Sequence, residues 1–319
     1  MSIPKLSIVI AVYNEEGNVI PLIHQIVEAL SKYDYEIIFV DDGSKDNTVS
    51  EIKSISNEQV TLLEFKRNFG QSLALAAGID FASGEYIVTM DGDLQNDPSD
   101  IPMMLKIAEE GNWDLVAGER SKRKDGLLLR KLPSRIANAL IRYTTKVKIK
   151  DYGCTLKIIK TDIAKELGLY GELHRFIPVL ASLQGATITQ VNVNHHPRTK
   201  GESKYGLSRT TKVISDLIFI LFLKKHMQKP MHLYGTIGLI TFLTGFIISV
   251  YLLTIKLLGN QIGGRPLLFL GVLLIIVGVQ FFTFGIFTEL QVRSYYESQG
   301  KKPFIIKKIS IGGKEVQKN

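Results

Sequence analysis

Two aspartates separated by a single glycine, Asp91-Gly92-Asp93, have the residue types and spacing best suited to chemistry in this chain. They follow the apolar segment Glu85–Met90, whose pattern predicts a buried strand. Carboxylates this close in sequence can bind one hard divalent cation, which prefers oxygen ligands, and Gln95 could supply a third oxygen. Such a cation can bridge a diphosphate and stabilise a phosphorylated leaving group. A polar turn that caps the helix beginning at Pro98 explains the same short pattern equally well.

Two further polar clusters follow predicted strands. Asp41-Asp42-Gly43-Ser44 comes directly after the apolar segment Tyr35–Val40, and Asn14-Glu15-Glu16 follows the first apolar segment of the chain. Because ligands bind at the carboxyl ends of the strands in parallel sheets, we expect all three clusters to line one pocket. Asp41 or Asp42 would then contact the base or ribose of a nucleotide. The alternative is a plain turn before a helix, which glycine and serine favour.

The elements that must position these clusters alternate between strand and helix. Apolar runs predict five strands, at Leu6–Tyr13, Tyr35–Val40, Val60–Phe65, Glu85–Met90 and Trp113–Gly118. Apolar spacing and capping residues predict the intervening helices, over Asn18–Ser31, from Asp46, over Gly70–Ala82 and from Pro98. This alternation is typical of an α/β fold with a doubly wound, mostly parallel sheet.

The composition limits the partners of the chain. Its 319 residues carry a formal net charge of +8, which suits a nucleic acid, an anionic membrane or a phosphorylated substrate. The basic residues cluster beside apolar segments with few aromatic residues between them, so we do not expect a nucleic-acid partner. Cys154 is the single cysteine, which excludes an intramolecular disulfide and fits a reducing compartment. Met1 leads into a strand pattern without an apolar leader, so we expect no cleaved signal peptide.

Two apolar segments near the end of the chain predict membrane-spanning helices. Leu233–Ile255 and Pro266–Thr288 contain no charged residue, and each is long enough to cross a bilayer. The short link Lys256–Arg265 joins them into a hairpin. Tyr205–His226 is amphipathic and is expected to lie in the membrane interface. Basic residues before the first segment and after the second predict that both termini face the cytoplasm.

The segment from Arg120 to Lys150 is strongly basic, with eleven Lys or Arg residues and one acid, Asp125. Guanidinium groups bind phosphate in a bidentate manner, so a specific phosphate site in this segment is one interpretation. A basic face resting on anionic lipid headgroups is the other. The two interpretations are compatible with each other.

Three motifs together resemble the family 2 glycosyltransferases of GT-A fold, in order and spacing: Tyr13-Asn14-Glu15-Glu16, Asp41-Asp42-Gly43-Ser44 and Asp91-Gly92-Asp93-Leu94-Gln95. Three later segments are similar to those of dolichyl-phosphate mannose synthases and bacterial polyprenyl-phosphate glycosyltransferases: Arg130–Asn138, His174–Pro178 and Arg198–Lys204. With the two apolar spans added, the chain resembles the bactoprenol glucosyltransferase type over essentially its whole length.

The resemblance implies a GT-A catalytic domain, Rossmann-like with a mostly parallel sheet, followed by two C-terminal transmembrane helices. We expect the catalytic domain over residues 1–204, an interfacial helical region over 205–230, the hairpin over 231–292 and a basic cytoplasmic tail over 293–319. The enzyme would be a multi-pass protein of the inner or plasma membrane, with its catalytic domain at the cytoplasmic face. The oligomeric state stays open, a homo-oligomer included.

The resemblance also implies site residues. Mg²⁺ or Mn²⁺ would be bound by Asp91, Asp93 and Gln95. The nucleotide sugar would contact Asn14, Glu16, Asp41, Asp42, Ser203 and Lys204. The acceptor phosphate would contact Arg120, Arg130 and Ser134. The residues expected to act in catalysis are Asp91, Asp93, Arg198, which would bind the donor diphosphate, and Asp151, which would orient the acceptor. A turn residue is an equally good interpretation of Asp151.

The implied reaction is a metal-dependent, inverting transfer of a hexose to polyprenyl phosphate, such as undecaprenyl phosphate. A phosphate monoester is largely anionic at neutral pH, with a second pKa of about 6, so it needs little help from a general base. UDP-glucose is the donor that the resemblance implies. The alternatives are another donor, GDP-mannose or UDP-4-amino-arabinose, and a non-catalytic membrane-bound module that binds nucleotide sugars.

Overall fold

The computed structural model describes residues 4–55, 57–120, 147–197, 230–298, 309–311 and 314–316. The chain divides into two compact units, Met1–Ile218 and Phe219–Asn319, and each is described by itself. The predicted interfacial segment Tyr205–His226 lies outside the described residues.

A mixed, mostly parallel sheet forms the first unit. Its strands are β1 (Leu6–Val12), β2 (Tyr35–Asp41), β3 (Val60–Glu64), β4 (Tyr86–Asp91), β5 (Leu115–Arg120), β6 (Lys157–Lys160) and β7 (Ile188–Val193). They lie in the order β3-β2-β1-β4-β6-β5-β7. The pairs among β1 to β4 are parallel, as is the pair β5–β7, whereas β6 is antiparallel to both β4 and β5. The predicted mostly parallel sheet is confirmed, with one reversed strand in it.

Helices cover both faces of this sheet. They are α1 (Val19–Ala29), α2 (Thr48–Lys53), α3 (Gln71–Phe81), α4 (Ile101–Glu110), α5 (Thr161–Lys165) and α6 (Ile177–Leu183), with 3-10 turns at Pro98–Asp100 and Leu173–Phe176. Helix α1 buries Val19, Leu22, Ile23 and Ile26, a spacing that places the four side chains on one face toward the core.

The strands β1 and β2 are buried along nearly their whole length. Such strands are covered on both faces, which explains why their sequences are continuous apolar runs rather than alternating ones. Burial also fixes their register, because a slip of one residue would exchange the two faces. The polar residues that follow these strands are therefore held at defined positions along the edge of the sheet.

Two long apolar helices form most of the second unit. They are α7 (Pro230–Leu257) and α8 (Pro266–Ser298). Mean hydropathy reaches 2.1 in α7 and 2.6 in the part of α8 up to Val292, while 17% and 11% of those windows are buried. A core helix of a water-soluble protein would be mostly buried, so the exposed apolar surface fits lipid. The predicted hairpin of two spanning helices is confirmed in its length and composition.

Glycines line the contact between α7 and α8. A Cβ atom added at Gly245 would lie 2.7 Å from the carbonyl oxygen of Gly271, and one added at Gly238 would lie 2.8 Å from that of Gly278. Within each helix the two glycines are separated by two turns, so they share one face. Small residues at a helix contact allow the backbones to approach closely within a bilayer. Two short strands, β8 (Ile309–Ile311) and β9 (Lys314–Val316), form an antiparallel pair near the end of the chain.

Candidate active site at the carboxyl edge of the sheet

The three predicted polar clusters meet at one edge of the sheet. Strand β1 lies between β2 and β4, and its last residues pair with the last residues of both. Val12 is opposite Asp41, and Ala11 is opposite Asp91. The residues after β1, β2 and β4 therefore enclose a common region, as predicted for a parallel sheet.

Asp91 is held by two neighbouring side chains. Its Oδ1 atom accepts a hydrogen bond of 2.7 Å from Nε2 of Gln71 at the start of α3, and the Thr155 hydroxyl also bonds to the carboxylate. Burial raises the pKa of Asp91 to about 6, and the negative charge of the nearby Asp93 adds to this effect. Asp93 is itself buried, and its Oδ1 accepts the backbone N–H of Gln95 at 3.2 Å.

The Asp91 and Asp93 carboxylates fit a divalent cation. Burial and, after it, the charge of Asp93 both disfavour the ionised form of Asp91, and a bound cation would offset both effects. Among the described residues, no group of three or more His, Cys, Asp or Glu side chains could hold a metal ion by itself. A cation at Asp91 and Asp93 would therefore complete its oxygen ligands from Gln95, water or a bound diphosphate.

The turn that carries these carboxylates is tight. A Cβ atom added at Gly92 would lie 2.7 Å from Cγ1 of Val12, so the turn approaches the end of β1 as only glycine allows. Leu94 has φ of 61°, a left-handed conformation that is uncommon and costly for a leucine. Contacts from elsewhere in the chain must therefore stabilise the turn.

The segment after β7 supplies such contacts. The backbone N–H of His196 donates to the carbonyl of Gln95 at 2.9 Å, and Nε2 of Gln95 lies 3.5 Å from the carbonyl oxygen of His196. The His196 ring contacts Oδ2 of Asp97 at 3.1 Å. Two residues earlier, the backbone N–H of Asn194 donates to Asp100 at 2.7 Å. No local pattern in the sequence indicates this pairing, which joins residues about a hundred positions apart.

Asp41 has one carboxylate oxygen in use and one unpaired. Its Oδ2 accepts the backbone N–H groups of Gly43 and Ser44 at 3.1 Å and 3.0 Å. Its Oδ1 is buried and has no hydrogen-bond partner within the described part of the chain. Because an unpaired buried acceptor is costly, this atom is suited to receive an N–H or O–H donor from a ligand.

Asp42 has a different environment from Asp41. Its two oxygens accept the backbone N–H groups of Phe69 and Gly70 at 2.6 Å and 2.9 Å. Asp42 was predicted to contact a nucleotide; the structure places its carboxylate on the loop that leads into α3. The cluster after β2 and the start of α3 are thereby joined.

Asn14 and Glu16 also bond to a neighbouring loop. Oδ1 of Asn14 accepts the backbone N–H of Lys45 at 2.9 Å. Oε1 of Glu16 accepts a hydrogen bond of 2.8 Å from Nδ2 of Asn47. Both residues were predicted to contact the nucleotide sugar, and both are placed at the edge of the pocket, where their side chains fix the loop between β2 and α2.

Arg120 and Asp151 form an ion pair on the other side of β4. Nε and Nη2 of Arg120 lie 2.6 Å and 2.8 Å from the two carboxylate oxygens of Asp151, and the side chains are only 13% and 15% exposed. Burial alone would lower the pKa of Arg120, but the paired carboxylate keeps it above its ordinary value. The hydrogen bonds from Arg120 to Asp151 use Nε and Nη2 and leave Nη1 without a hydrogen-bond partner among the described residues.

Four further residues lie around Asp91, and the sequence did not predict any of them as site residues: Gln71, Thr155, Lys157 and His174. Nδ1 of His174 lies 2.8 Å from Oγ of Ser72, at the start of α3. Thr155, Lys157 and His174 line, together with Asp91, a gap that is too small to hold a water molecule. For Thr155 and Lys157 the available signal was their position directly after the Asp151-Tyr152-Gly153-Cys154 motif.

The remaining predicted site residues lie outside the described residues. They are Arg130, Ser134, Arg198, Ser203 and Lys204. The described chain stops one residue before Arg198, just after the His196 contact with the turn that carries Asp93.

Comparison with known proteins gives a family match for the first half of the chain. Residues 7–168 match the family model described as glycosyl transferase family 2. The matched segment contains β1 to β6, the acidic clusters after β2 and β4, and the Arg120–Asp151 pair.

Two relatives are similar over nearly the whole chain. One is dodecaprenyl-phosphate galacturonate synthase from Rhizobium johnstonii, which is 45% identical over 96% of this chain and 93% of the relative. The other is undecaprenyl-phosphate 4-deoxy-4-formamido-L-arabinose transferase from Yersinia enterocolitica, which is 35% identical over 99% of this chain and 97% of the relative. Both alignments extend across the hairpin.

A solved structure resembles the first unit. It is glucosyl-3-phosphoglycerate synthase from Mycobacterium tuberculosis in complex with Mn²⁺, uridine diphosphate and phosphoglyceric acid, with a TM-score of 0.53 and 17% identity. The similarity covers 69% of this chain and 78% of that one. At this level of identity the likeness concerns the fold, and the predicted GT-A fold is confirmed.

Proposed function

Because this chain belongs to glycosyl transferase family 2, we propose that it transfers a nucleotide-activated uronic acid to the phosphate of a polyprenyl lipid. The enzyme class is established by the family and its relatives: the chain is a glycosyltransferase that acts on a polyprenyl phosphate. Its two long apolar helices and these relatives place it at a membrane. The sugar, the metal and the topology are the proposed parts.

The donor is proposed from the two relatives. The relative with 45% identity is named for galacturonate, and that with 35% identity is named for a formamido-arabinose. Neither is named for glucose, so the alternative of another donor is better supported than UDP-glucose. Galacturonate is the better supported of the two sugars, because the corresponding relative shares more residues with this chain. An amino-arabinose derivative is the second candidate.

One observation carries the proposal. Asp91 and Asp93 lie beside the end of β1, and Asp41 lies on the opposite side of that strand. Asp91 and Asp93, with Gln95, would hold Mg²⁺ or Mn²⁺. When bound, the cation would stabilise the negative charge that develops on the leaving nucleoside diphosphate. Oδ1 of Asp41, which is buried and unpaired within the described chain, would accept a hydrogen bond from the nucleoside.

The acceptor phosphate would bind on the side of Arg120. A phosphate monoester attacks through its own anionic oxygen, so this site needs a cation to orient it more than a base to deprotonate it. Arg120 is buried, charged and fixed by Asp151, which supports an orienting role for both. The displacement would proceed in one step with inversion at the anomeric carbon, and the new bond would join that carbon to the phosphate oxygen.

Arg198, Ser203 and Lys204 are proposed to bind the donor diphosphate. Support comes from chain connectivity, since Arg198 follows His196 by two residues and an extended chain spans about 7 Å over that length. His196 is hydrogen-bonded to Gln95 beside the carboxylate pair. Arg130 and Ser134 are proposed, with Arg120, to bind the lipid phosphate.

The topology is proposed from the charges next to the hairpin. Lys224, Lys225 and Lys229 precede α7, and Arg293, Lys301 and Lys302 follow the apolar part of α8. Basic flanks favour the cytoplasmic side, so both termini and the catalytic unit would lie in the cytoplasm. With this topology we propose the four regions expected from the sequence, with boundaries at residues 204, 230 and 292.

A donor panel tests the proposal. Full-length protein purified in detergent is incubated with undecaprenyl phosphate, Mn²⁺ or Mg²⁺, and one of UDP-galacturonate, UDP-4-formamido-arabinose, UDP-glucose or GDP-mannose. We expect UDP-galacturonate to give the largest kcat/KM for formation of the lipid-linked sugar. Product with UDP-glucose or GDP-mannose alone would overturn the donor assignment. Absence of transfer from every donor, with intact binding of nucleotide, would favour the non-catalytic binding module.

A further inference from the structure

Lys157 is a charged residue in the interior of the first unit. It is 1% exposed and is among the largest fully buried side chains of the described chain. Strand β6 places it between Thr89 of β4 and Ala117 of β5. An ammonium group is costly to bury unless it is paired and hydrogen-bonded. A lysine kept at this position therefore calls for an explanation from its surroundings.

The hydrogen-bond partner of Lys157 is a backbone atom. Its Nζ donates to the carbonyl oxygen of Cys154, in the turn that begins at Asp151. An ammonium has three N–H donors, and no other hydrogen bond from Nζ is made to the described residues. Lys157 thus ties the start of β6 to the turn that carries the partner of Arg120.

The charges around Lys157 belong to the proposed active site. Asp91 and Lys157 line the same small gap, together with Thr155 and His174. Asp91, Asp151 and Arg120 all interact electrostatically with Lys157. Burial lowers the pKa of Lys157, and the two carboxylates act against that shift. The side chain of Lys157 therefore lies close to both halves of the site, Asp91 and the Arg120–Asp151 pair.

We propose that Lys157 is a positioning residue whose buried positive charge favours the anionic diphosphate of the donor and whose bond to Cys154 holds the Asp151 turn beside Asp91. The inference rests on the proposed function, because it assumes that a nucleoside diphosphate binds at Asp91 and Asp93. Asp91, Asp93 and Asp151 bring negative charge to a site that must also receive a diphosphate. The ammonium of Lys157 offsets part of that charge from behind the site, without contact with either substrate.

The charge has opposite effects on the two ligands of the site. A nearby positive charge strengthens the binding of an anion and opposes the binding of a bare cation. Removal of the charge should therefore weaken the affinity for a nucleoside diphosphate and should leave the affinity for Mn²⁺ alone unchanged or stronger. Loss of structure would weaken both affinities together, so the two effects are separable.

The experiment compares Lys157→Met with Lys157→Arg and with a control, Lys160→Met. Lys160 lies on the same strand, opposite Tyr86 at the other end of β4, and bonds to Asn112 and Asp114. Full-length protein in detergent is titrated calorimetrically with Mn²⁺ alone, and then with UDP or GDP at saturating Mn²⁺. Thermal unfolding of each variant is recorded in parallel.

We expect Lys157→Met to weaken nucleotide affinity by about tenfold or more, with the affinity for Mn²⁺ alone retained. In the transfer assay its KM for the donor should rise more than its kcat falls. Lys157→Arg, which keeps the charge, should stay within about threefold of the wild type, and Lys160→Met should bind like the wild type.

Two results would overturn the inference. One is nucleotide affinity of Lys157→Met equal to that of the wild type. The other is a parallel loss of Mn²⁺ and nucleotide affinity together with a lower melting temperature, which indicates a purely structural lysine. If Lys157→Met does not fold, the Lys157→Arg variant decides. A folded Lys157→Arg variant that binds nucleotide much more weakly than the wild type would overturn the role given to the charge. Wild-type protein that binds neither UDP nor GDP would contradict the proposed function instead.

Discussion

Arg120 and Asp151 form a bidentate ion pair, with Nε and Nη2 of the guanidinium 2.6 Å and 2.8 Å from the carboxylate oxygens. The sequence suggested separate roles for them, Arg120 at the acceptor phosphate and Asp151 as an orienting residue or a turn residue. The pair joins these roles, because Asp151 fixes the direction of the guanidinium while its own oxygen also accepts the N–H of Gly153 at 3.1 Å. Asp151 is thus both a turn residue and the partner of a candidate phosphate ligand.

We predict that Asp151→Ala lowers the free energy of unfolding by about 3 kcal/mol, because it leaves the guanidinium of Arg120 buried without a counter-charge. The double variant Arg120→Met/Asp151→Leu should recover most of this loss. Denaturation can be followed through the fluorescence of Trp113, the single tryptophan. Both variants should raise the KM for polyprenyl phosphate more than the KM for the donor.

The control for this cycle is Glu110→Ala, which breaks an exposed pair with Lys106 whose side chains are 68% and 72% exposed. Exposed pairs contribute little, so this variant should unfold like the wild type. If Asp151→Ala were as stable as Glu110→Ala, the Arg120–Asp151 pair would have no structural role.

Asp93→Asn should abolish transfer, with kcat/KM reduced by about a thousandfold or more, because it removes one carboxylate from the proposed cation site. The variant should still fold, and its affinity for Mn²⁺ measured by electron paramagnetic resonance should fall. EDTA should inactivate the wild type and added Mn²⁺ should restore it. Asp80→Asn, at an exposed position on α3, is the control. Turnover by Asp93→Asn at the wild-type rate would contradict the metal assignment.

Asp41→Asn should raise the KM for the donor by about tenfold while kcat changes less. The amide can place an N–H donor where the unpaired acceptor Oδ1 now lies, and a donor could not accept the hydrogen bond proposed to come from the nucleoside. The variant Asp42→Asn provides a contrast. Both oxygens of Asp42 accept backbone N–H groups, so its loss should appear first as a lower melting temperature. Identical kinetic and stability profiles of the two variants would contradict the division of roles between these adjacent residues.

Gly245→Ala should destabilise the hairpin by about 1–3 kcal/mol, because its Cβ atom would lie 2.7 Å from the backbone oxygen of Gly271 and cannot be accommodated by a side-chain rotation. Thermal unfolding in detergent measures the effect. Gly263→Ala is the matched control, since a Cβ atom there meets no atom within 4 Å. Equal stability of the two variants would show that the helices do not pack through their glycines.

Much of the fold could be predicted from the sequence, because its signals are local. The five predicted strands begin and end within two residues of β1 to β5, since buried parallel strands are continuous apolar runs. Strands β6 and β7 were not predicted. They carry polar residues such as Lys157 and Gln190, and they are defined by pairing with distant strands.

The positions of the site residues were easier to predict than their bonds. The clusters at Asp41 and Asp91 meet at one edge, as the order of elements required. The sequence could not show that Asp42 bonds to Phe69 and Gly70. Asp41 and Asp42 are adjacent and have the same side chain, so only the position of the neighbouring loop in the folded chain distinguishes their partners. The burial of Lys157 is likewise a property of the assembled sheet.

The reversed strand β6 has a consequence for how such enzymes can diversify. It begins beside the carboxyl end of β4 and runs in the opposite direction to that strand, so Thr155, which comes just before β6, reaches Asp91 from a part of the sequence separate from the first four strands. The two sides of the pocket are thus encoded by separate stretches of the gene. Under selection, one stretch can accept changes while the other is retained, and a chimera joined between β4 and β5 would exchange one side of the pocket intact.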